Sequence, residues 1–161
     1  MKTRIIYHSH SGNTRNMAER VQASCGGELT EVKLTEGHSS PVAYFLGVFR
    51  SIKKEYDPIE PATIDVSGSD CVVIGTPVWT RKATPAIAAA VEALEGCQGK
   101  KAVLFATCGS AAGDTLPALA RALEAKGMTV TGQFVFTRHD LRDEAMMKAL
   151  AECVEQTRRA S

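Results

Sequence analysis

Three segments of this 161-residue chain combine glycine with serine and threonine, and each of them follows an apolar run. They span residues 9–14, 75–82 and 107–114. Glycine lets the backbone approach a ligand closely, and hydroxyls add neutral hydrogen bonds, so such segments suit a polar or phosphorylated ligand. If the apolar runs are parallel strands of one sheet, all three segments open on the edge where α/β proteins bind their ligands.

The first segment reads Ser9-His10-Ser11-Gly12-Asn13-Thr14 and leads directly into a predicted helix. The free N–H groups and the dipole of a helix start favour an anion at this position. Because the segment contains no lysine or arginine, a bound phosphate would be held by polar dipoles rather than by a salt bridge. A capped helix start after a polar turn, without a ligand, is the alternative that these residues leave open.

Several other phosphate and catalytic motifs are absent from the chain. There is no GxxxxGK[ST] and no GxGxxG after the first strand, which disfavours a P-loop NTPase and a Rossmann dinucleotide site. The first segment has no cysteine nucleophile of the kind that a phosphatase of similar topology needs. The third strand ends in Gly75-Thr76 without the aspartate of a response-regulator receiver. We therefore assign no catalytic residue from the sequence.

The five cysteines are odd in number and form no CxxC, which predicts neither a disulfide framework nor a metal site. No apolar run approaches the roughly 20 residues of a membrane span, and the N-terminus lacks the apolar core of a secretory signal. The formal net charge is +1, which suggests neither nucleic acid nor a membrane surface as a partner. We expect a cytoplasmic protein with reduced thiols and no membrane insertion.

Strand and helix patterns alternate along the chain and predict one domain over residues 1–161. Apolar or alternating runs predict strands at residues 4–8, 29–34, 71–74, 102–106 and 129–136. Helical spacing predicts helices at 14–25, from Pro85 to about Leu94, at 115–126 and at 143–157. This alternation predicts an α/β fold of three layers, with a doubly wound five-stranded parallel sheet in the order 2-1-3-4-5.

The segment at residues 36–65 fits the alternation least well. Apolar residues at helical spacing predict a helix over about 42–54, followed by a proline-containing extended connector. This helix carries several aromatic side chains. It either covers one face of the sheet or forms an aromatic wall for a second substrate or a dimer partner.

The three segments together resemble those of the flavodoxin family. Residues 9–14 are similar to its (S/T)-x-(S/T)-G-x-T phosphate loop, and residues 70–79 resemble its third strand and first flavin loop. Residues 107–110 stand where its second flavin loop belongs. The last predicted strand has no insertion, so the resemblance is to the short-chain type, and it covers nearly the whole chain.

The resemblance implies FMN as a non-covalently bound cofactor. The implied contacts to its phosphate are Ser9, His10, Ser11, Asn13 and Thr14, with Gly12 among them. The implied contacts to its ring are Thr76, Pro77, Val78, Trp79 and Thr80 on one side and Thr107, Cys108 and Gly109 on the other, with Arg81 completing the set. Trp79, the only tryptophan, would stack on the ring. Its alternative is a tryptophan buried against the sheet.

The chain departs from the acidic electron carriers of that family. Its charge is nearly balanced, and Arg81 and Lys82 follow the first flavin loop. A cation near the ring would stabilise the anionic reduced flavin and raise its reduction potential. The alternative is a solvated pair of side chains that points away from the ring.

The resemblance implies a redox protein that transfers electrons between partner proteins. The alternative is an FMN-dependent reductase that uses NAD(P)H to reduce a quinone or another small acceptor, and whether the chain is an enzyme stays open. Quinone reductases of this fold complete their site at an oligomer interface, so a homodimer is possible. A third alternative is a binding module with the fold and no flavin.

Overall fold

A computed structural model describes residues 2–35 and 58–161 of the chain. The predicted helix at 42–54 lies outside the described residues. Within the described ranges, no helix is both long enough and apolar enough to cross a bilayer.

Five parallel strands form the central sheet, and we label them in chain order. They are β1 (Thr3–Tyr7), β2 (Glu28–Glu31), β3 (Cys71–Trp79), β4 (Lys101–Cys108) and β5 (Thr129–Thr137). Their order across the sheet is β2-β1-β3-β4-β5. The predicted order 2-1-3-4-5 is confirmed. From β1, the chain places β2 on one side and β3, β4 and β5 on the other side. Ligands of doubly wound folds bind at such a reversal, which here lies between β1 and β3.

Four α-helices among the described residues cover the two faces of the sheet. They are α1 (Asn13–Cys25), α2 (Pro85–Glu92), α3 (Thr115–Ala125) and α4 (Glu144–Arg159). Local chemistry explains several of their ends. Pro85 occupies the first turn of α2, where its missing N–H costs nothing. Asp143 caps α4 by accepting hydrogen bonds from the amides of Ala145 and Met146.

Short pairs of residues extend this framework at its borders. Lys33–Leu34 pairs antiparallel with Ile59–Glu60, and Lys82–Ala83 pairs antiparallel with the end of β3. The predicted second strand over 29–34 is divided at Val32. This valine is fully buried, and its N–H bonds to the Tyr7 carbonyl at 2.7 Å. The single strand predicted there is therefore two strands in the structure.

Buried side chains form one apolar cluster on each face of the sheet. Alternate residues of β3 point to opposite faces, so Val72 and Ile74 join one cluster and Cys71 and Val73 join the other. The first cluster packs against α2 and α3, and the second packs against α1 and α4. These two cores hold the carboxyl ends of β1, β3 and β4 in fixed positions next to one another.

Candidate functional site

The three predicted segments meet at the carboxyl edge of the sheet. The hydroxyls of Thr14 and Thr107 lie 2.8 Å apart, and both residues are buried. This bond joins the first segment to the third across 93 positions of sequence. The N–H of His8, which immediately precedes the first segment, donates to the Gly75 carbonyl at the start of the second segment at 3.3 Å.

The first segment presents the open start of α1. Gly12 stands at the helix boundary with a φ of 94°, a left-handed angle that glycine adopts without strain. No side chain caps this end of the helix. Ser9 Oγ instead accepts from the Gly12 N–H at 3.1 Å and shapes the turn before it. The amides of the first helical turn therefore lack the side-chain acceptor that a capped helix has, and such amides suit a phosphate.

Arginine does not supply the charge at this helix start. Arg15 in the first turn of α1 forms an ion pair with Glu31 at the end of β2. The donors around the helix start are consequently backbone N–H groups and hydroxyls. This set agrees with the expectation of a phosphate held by polar dipoles.

The second segment is a hairpin at the end of β3. Val78 and Trp79 pair with Ala83 and Lys82, so Thr80 and Arg81 form the turn between them. Their φ angles are 47° and 62°. A two-residue hairpin turn with two positive φ angles normally contains glycine, asparagine or aspartate. Here a β-branched residue and an arginine adopt this backbone, which costs free energy at each position.

The side chain of Thr76 supports the base of this hairpin. Its hydroxyl donates to the Pro77 carbonyl at 2.8 Å and accepts from the Thr84 N–H at 3.3 Å. Thr76 is fully buried, so its side chain is committed to the hairpin rather than displayed at the surface. Just before it, Gly75 makes room for the Phe105 ring of β4, because a Cβ at Gly75 would lie 2.2 Å from Phe105 Cζ.

Trp79 connects the hairpin to the first segment. Its indole is edge-on to the rings of His10 and His8, with centroids 5.4 Å and 6.3 Å away. Trp79 is half-buried, so it is neither fully exposed nor enclosed in the sheet core. Its ring lies against the first segment at the border between β1 and β3.

His8 is a residue of this edge that the sequence analysis did not select. Its Nδ1 lies 2.8 Å from the Val32 carbonyl oxygen. Because a carbonyl can only accept, Nδ1 carries the proton. Burial lowers the pKa of His8 from its ordinary value, with His10 adding to this effect and the Val32 bond and Glu31 opposing it. The neutral ring therefore leaves Nε2 as an acceptor. The position of His8 directly before Ser9 is the sequence signal that would have identified His8 as a residue of this edge.

The third segment contacts the hairpin at Gly113. Gly113 has a φ of 59°, and a Cβ there would lie 2.6 Å from Arg81 Cβ and 3.0 Å from Arg81 Nε. The Arg81 side chain therefore lies directly across the third segment. In the same segment, burial raises the pKa of the half-buried Cys108 thiol, and Asp140 adds to this effect. Cys108 is thus a neutral thiol rather than a reactive thiolate.

All fifteen predicted site residues fall on these three segments, with different exposures. The exposed ones are His10, Ser11, Asn13, Thr80, Arg81 and Gly109; the half-buried ones are Ser9, Gly12, Pro77, Val78, Trp79 and Cys108; the buried ones are Thr14, Thr76 and Thr107. For the buried threonines, the hydroxyls bond within the protein. In residues 2–35 and 58–161, no three or more His, Cys, Asp or Glu side chains form a group that could hold a metal ion.

Residues 1–141 match the family of NADPH-dependent FMN reductases. The chain belongs to this family. The match covers all five strands and the three segments described above. FMN is the cofactor, as predicted, and this family member is an FMN-binding flavoprotein with a flavodoxin-like fold. The resemblance found in the sequence is thereby confirmed.

Solved structures show the same fold for this FMN reductase family member. A flavoprotein from Lactobacillus acidophilus, solved in complex with FMN, is 24% identical with a TM-score of 0.68, covering 83% of this chain and 92% of that one. A WrbA-like flavodoxin from Agrobacterium tumefaciens is 19% identical with a TM-score of 0.67, covering 99% of both chains. The flavodoxin of Megasphaera elsdenii is 22% identical with a TM-score of 0.64, covering 96% and 98%. No curated protein matches the chain.

Proposed function

We propose that this protein is an NADPH-dependent oxidoreductase that uses bound FMN to reduce a small acceptor such as a quinone. The observation that carries the proposal is the pair of exposed cations, Arg81 and Lys82, on the hairpin beside Trp79. Cations at the mouth of a site attract an anionic dinucleotide, whereas a carrier that docks on basic partners needs an acidic rim. The family match is consistent with NADPH as the electron donor.

We place the FMN phosphate at the start of α1 and the ring between Trp79 and the third segment. The uncapped amides after Gly12 and the hydroxyls of Ser9 and Ser11 support the phosphate position. The ring position is supported by Trp79 and by the approach of the second and third segments at Gly113. Bound FMN would supply the two-electron chemistry: NADPH would lose a hydride and become NADP⁺, and those two electrons, with the proton of the hydride and one proton from solvent, would reduce a quinone to a hydroquinone.

A carrier that passes electrons between partner proteins is the second candidate. It is favoured by the exposure of Thr80 and Gly109, on the two segments that we place around the ring. An open ring edge suits electron transfer to a docked protein. The reductase would need a second substrate to approach the same edge, and a homodimer could complete that site.

Anaerobic mixing of the FMN-loaded protein with NADPH tests the proposal. Loading is checked first by visible absorption and by quenching of Trp79 fluorescence. We expect NADPH to bleach the flavin absorption within the time of ordinary enzyme turnover, about 0.1 s. Bleaching by dithionite but not by NADPH would favour the carrier. A protein that takes up no FMN would overturn both candidates.

A further inference from the structure

Arg81 occupies a backbone conformation that its side chain makes costly. Its φ is 62°, and the preceding Thr80 has a φ of 47°. Glycine at Arg81 would adopt the same angle with little strain. Strained residues of this kind are found at functional sites, where the surrounding structure holds them in place. The backbone strain therefore points to a functional role for the side chain of Arg81.

The Cβ and Nε atoms of Arg81 lie next to Gly113 of the third segment. Arg81 can lie this close to the third segment only because residue 113 is glycine, since a Cβ on residue 113 would collide with Arg81 Cβ and Nε. This contact removes part of the conformational entropy that a free arginine would lose on binding a ligand. The hairpin and Gly113 thus position a guanidinium between the two segments that we place around the FMN ring.

One carboxylate within the third segment and one close to Cys108 of that segment have other partners. Asp114, next to Gly113, forms an ion pair with Arg121 at 2.6 Å. Asp140 beyond β5 accepts hydrogen bonds from the Thr137 N–H at 2.9 Å and the Thr137 hydroxyl at 2.6 Å. Among residues 2–35 and 58–161, Arg81 has no ion pair with a carboxylate. Arg81 is an exposed residue, and its guanidinium has donors for an anion from outside.

We propose that Arg81 binds a phosphate of the nicotinamide dinucleotide and determines the affinity for that substrate. The inference rests on the proposed function and assigns a residue to it. Guanidinium is planar and donates two parallel hydrogen bonds to a phosphate, which makes arginine well suited to this role. The phosphate is either the 2′-phosphate, present only in NADPH, or the diphosphate bridge, present also in NADH. The FMN phosphate has its own donors at the start of α1.

Arg81→Gln in the FMN-loaded protein tests the assignment. We measure steady-state kinetics with NADPH and NADH, and the dissociation constant of NADP⁺ by calorimetry, which needs no turnover. We expect the KM for NADPH and the NADP⁺ dissociation constant to rise about tenfold or more, with little change in kcat. A rise for NADPH alone identifies the 2′-phosphate, and an equal rise for NADH identifies the diphosphate. Unchanged constants for both dinucleotides would overturn the proposal.

Three further variants distinguish a direct contact between Arg81 and the phosphate from a general electrostatic effect and from a loss of folding stability. Lys82→Gln removes the same charge one residue away, and an effect as large as that of Arg81→Gln would indicate a general field and overturn the proposal. Arg159→Gln removes an exposed cation from the end of α4 and should change neither constant. Arg81→Gly also removes the guanidinium but relaxes the backbone, so it should weaken NADP⁺ binding while keeping or raising thermal stability.

The failure of this assignment is distinguishable from the failure of the proposed function. A wild-type protein that oxidises NADPH, with an Arg81→Gln variant that binds NADP⁺ equally well, refutes only the assignment. A wild-type protein that binds NADP⁺ through Arg81 but oxidises NADPH negligibly refutes only the reductase. A wild-type protein that binds neither dinucleotide refutes both.

Discussion

The loop at residues 9–14 contains no lysine or arginine, whereas the hairpin at residues 78–83 carries Arg81 and Lys82 in succession. The loop places its left-handed backbone angle at Gly12, where it costs little, but the hairpin places two such angles at Thr80 and Arg81. Neutral backbone donors suit a phosphate that stays in place. A strained, charged hairpin suits a contact that forms and breaks during each turnover. The two halves of one edge therefore differ in strain and in charge, which fits the roles that we propose for them, a phosphate site for the resident cofactor and a contact for a transient substrate.

The largest expected effect comes from filling the space at the root of the hairpin. Gly75→Ala places a Cβ about where the Phe105 ring now lies, and overpacking of this kind costs about 1–3 kcal/mol of the free energy of unfolding. Urea unfolding measures this loss. Combining it with Phe105→Leu should cost less than the sum of the two single variants, because the smaller side chain gives way. Additive losses would show that the contact is not responsible.

Gly12→Ala tests the loop at residues 9–14. At Gly12 the backbone φ angle limits which residue fits, whereas there is free space for a side chain. A Cβ at Gly12 meets no atom within 4 Å, but the φ of 94° is unfavourable for alanine. The strain of about 1–2 kcal/mol should let the loop relax in the FMN-free protein, and restoring the present conformation on binding should then weaken FMN binding about 5- to 30-fold, measured by fluorescence titration. Gly68→Ala is the matched control, since its Cβ also meets nothing and its backbone is not left-handed. Equal FMN affinity in both variants would contradict the role of the loop.

The charge of the hairpin should also affect the reduction potential of bound FMN. A cation roughly 6 Å from the reduced ring is worth about 3 kcal/mol at an effective dielectric of about 20, and exposure to salt reduces this several-fold. Replacing both Arg81 and Lys82 by glutamine should lower the two-electron potential by about 20–40 mV in a potentiometric titration. A potential that stays the same would mean that these side chains point away from the ring.

The smallest expected effect concerns His8, which with His10 joins the loop to Trp79. Burial depresses the pKa of His8 below its ordinary 6.5, so the unfolded chain binds this proton more readily than the folded protein. Stability from this residue is therefore fully present above pH 6.5 and declines as the pH falls toward the lower pKa of the folded state. Urea unfolding on both sides of that pH measures the decline. It should diminish in His8→Gln and persist in His10→Gln, whose ring is exposed.

Much of this architecture could be predicted because its signals are local. The continuous apolar runs of β3 and β4 identified the central strands, and the alternation of strands and helices with right-handed crossovers predicted the common five-stranded order. The loop at 9–14 was recognisable because its hydroxyls, its glycine and the helix start are adjacent in sequence. The helix bounds differ by one or two residues, as with α4, which was predicted at 143–157 and spans Glu144–Arg159.

Features that depend on distant residues were beyond the same reasoning. The strand predicted to end at Ile74 continues to Trp79, and the chain turns back at Thr80 and Arg81. This turn contains no asparagine or glycine, so the sequence did not predict a hairpin there. The role of His8 depends on the Val32 carbonyl, 24 residues away. The contact of Arg81 with Gly113 likewise joins two loops that are far apart in sequence, and neither loop contains a motif that predicts the contact.

The bond between the Thr14 and Thr107 hydroxyls has a consequence for the order of assembly. Neither hydroxyl finds its partner until β4 has joined the sheet, because the two residues are 93 positions apart. A chain that has left the ribosome only as far as β3 therefore holds an incomplete cofactor site. If FMN binds at these segments as we propose, its tight binding requires β1, β3 and β4 to be paired, and each bound molecule then stabilises that paired state by mass action. The yellow colour of the protein would thus report the pairing of these strands.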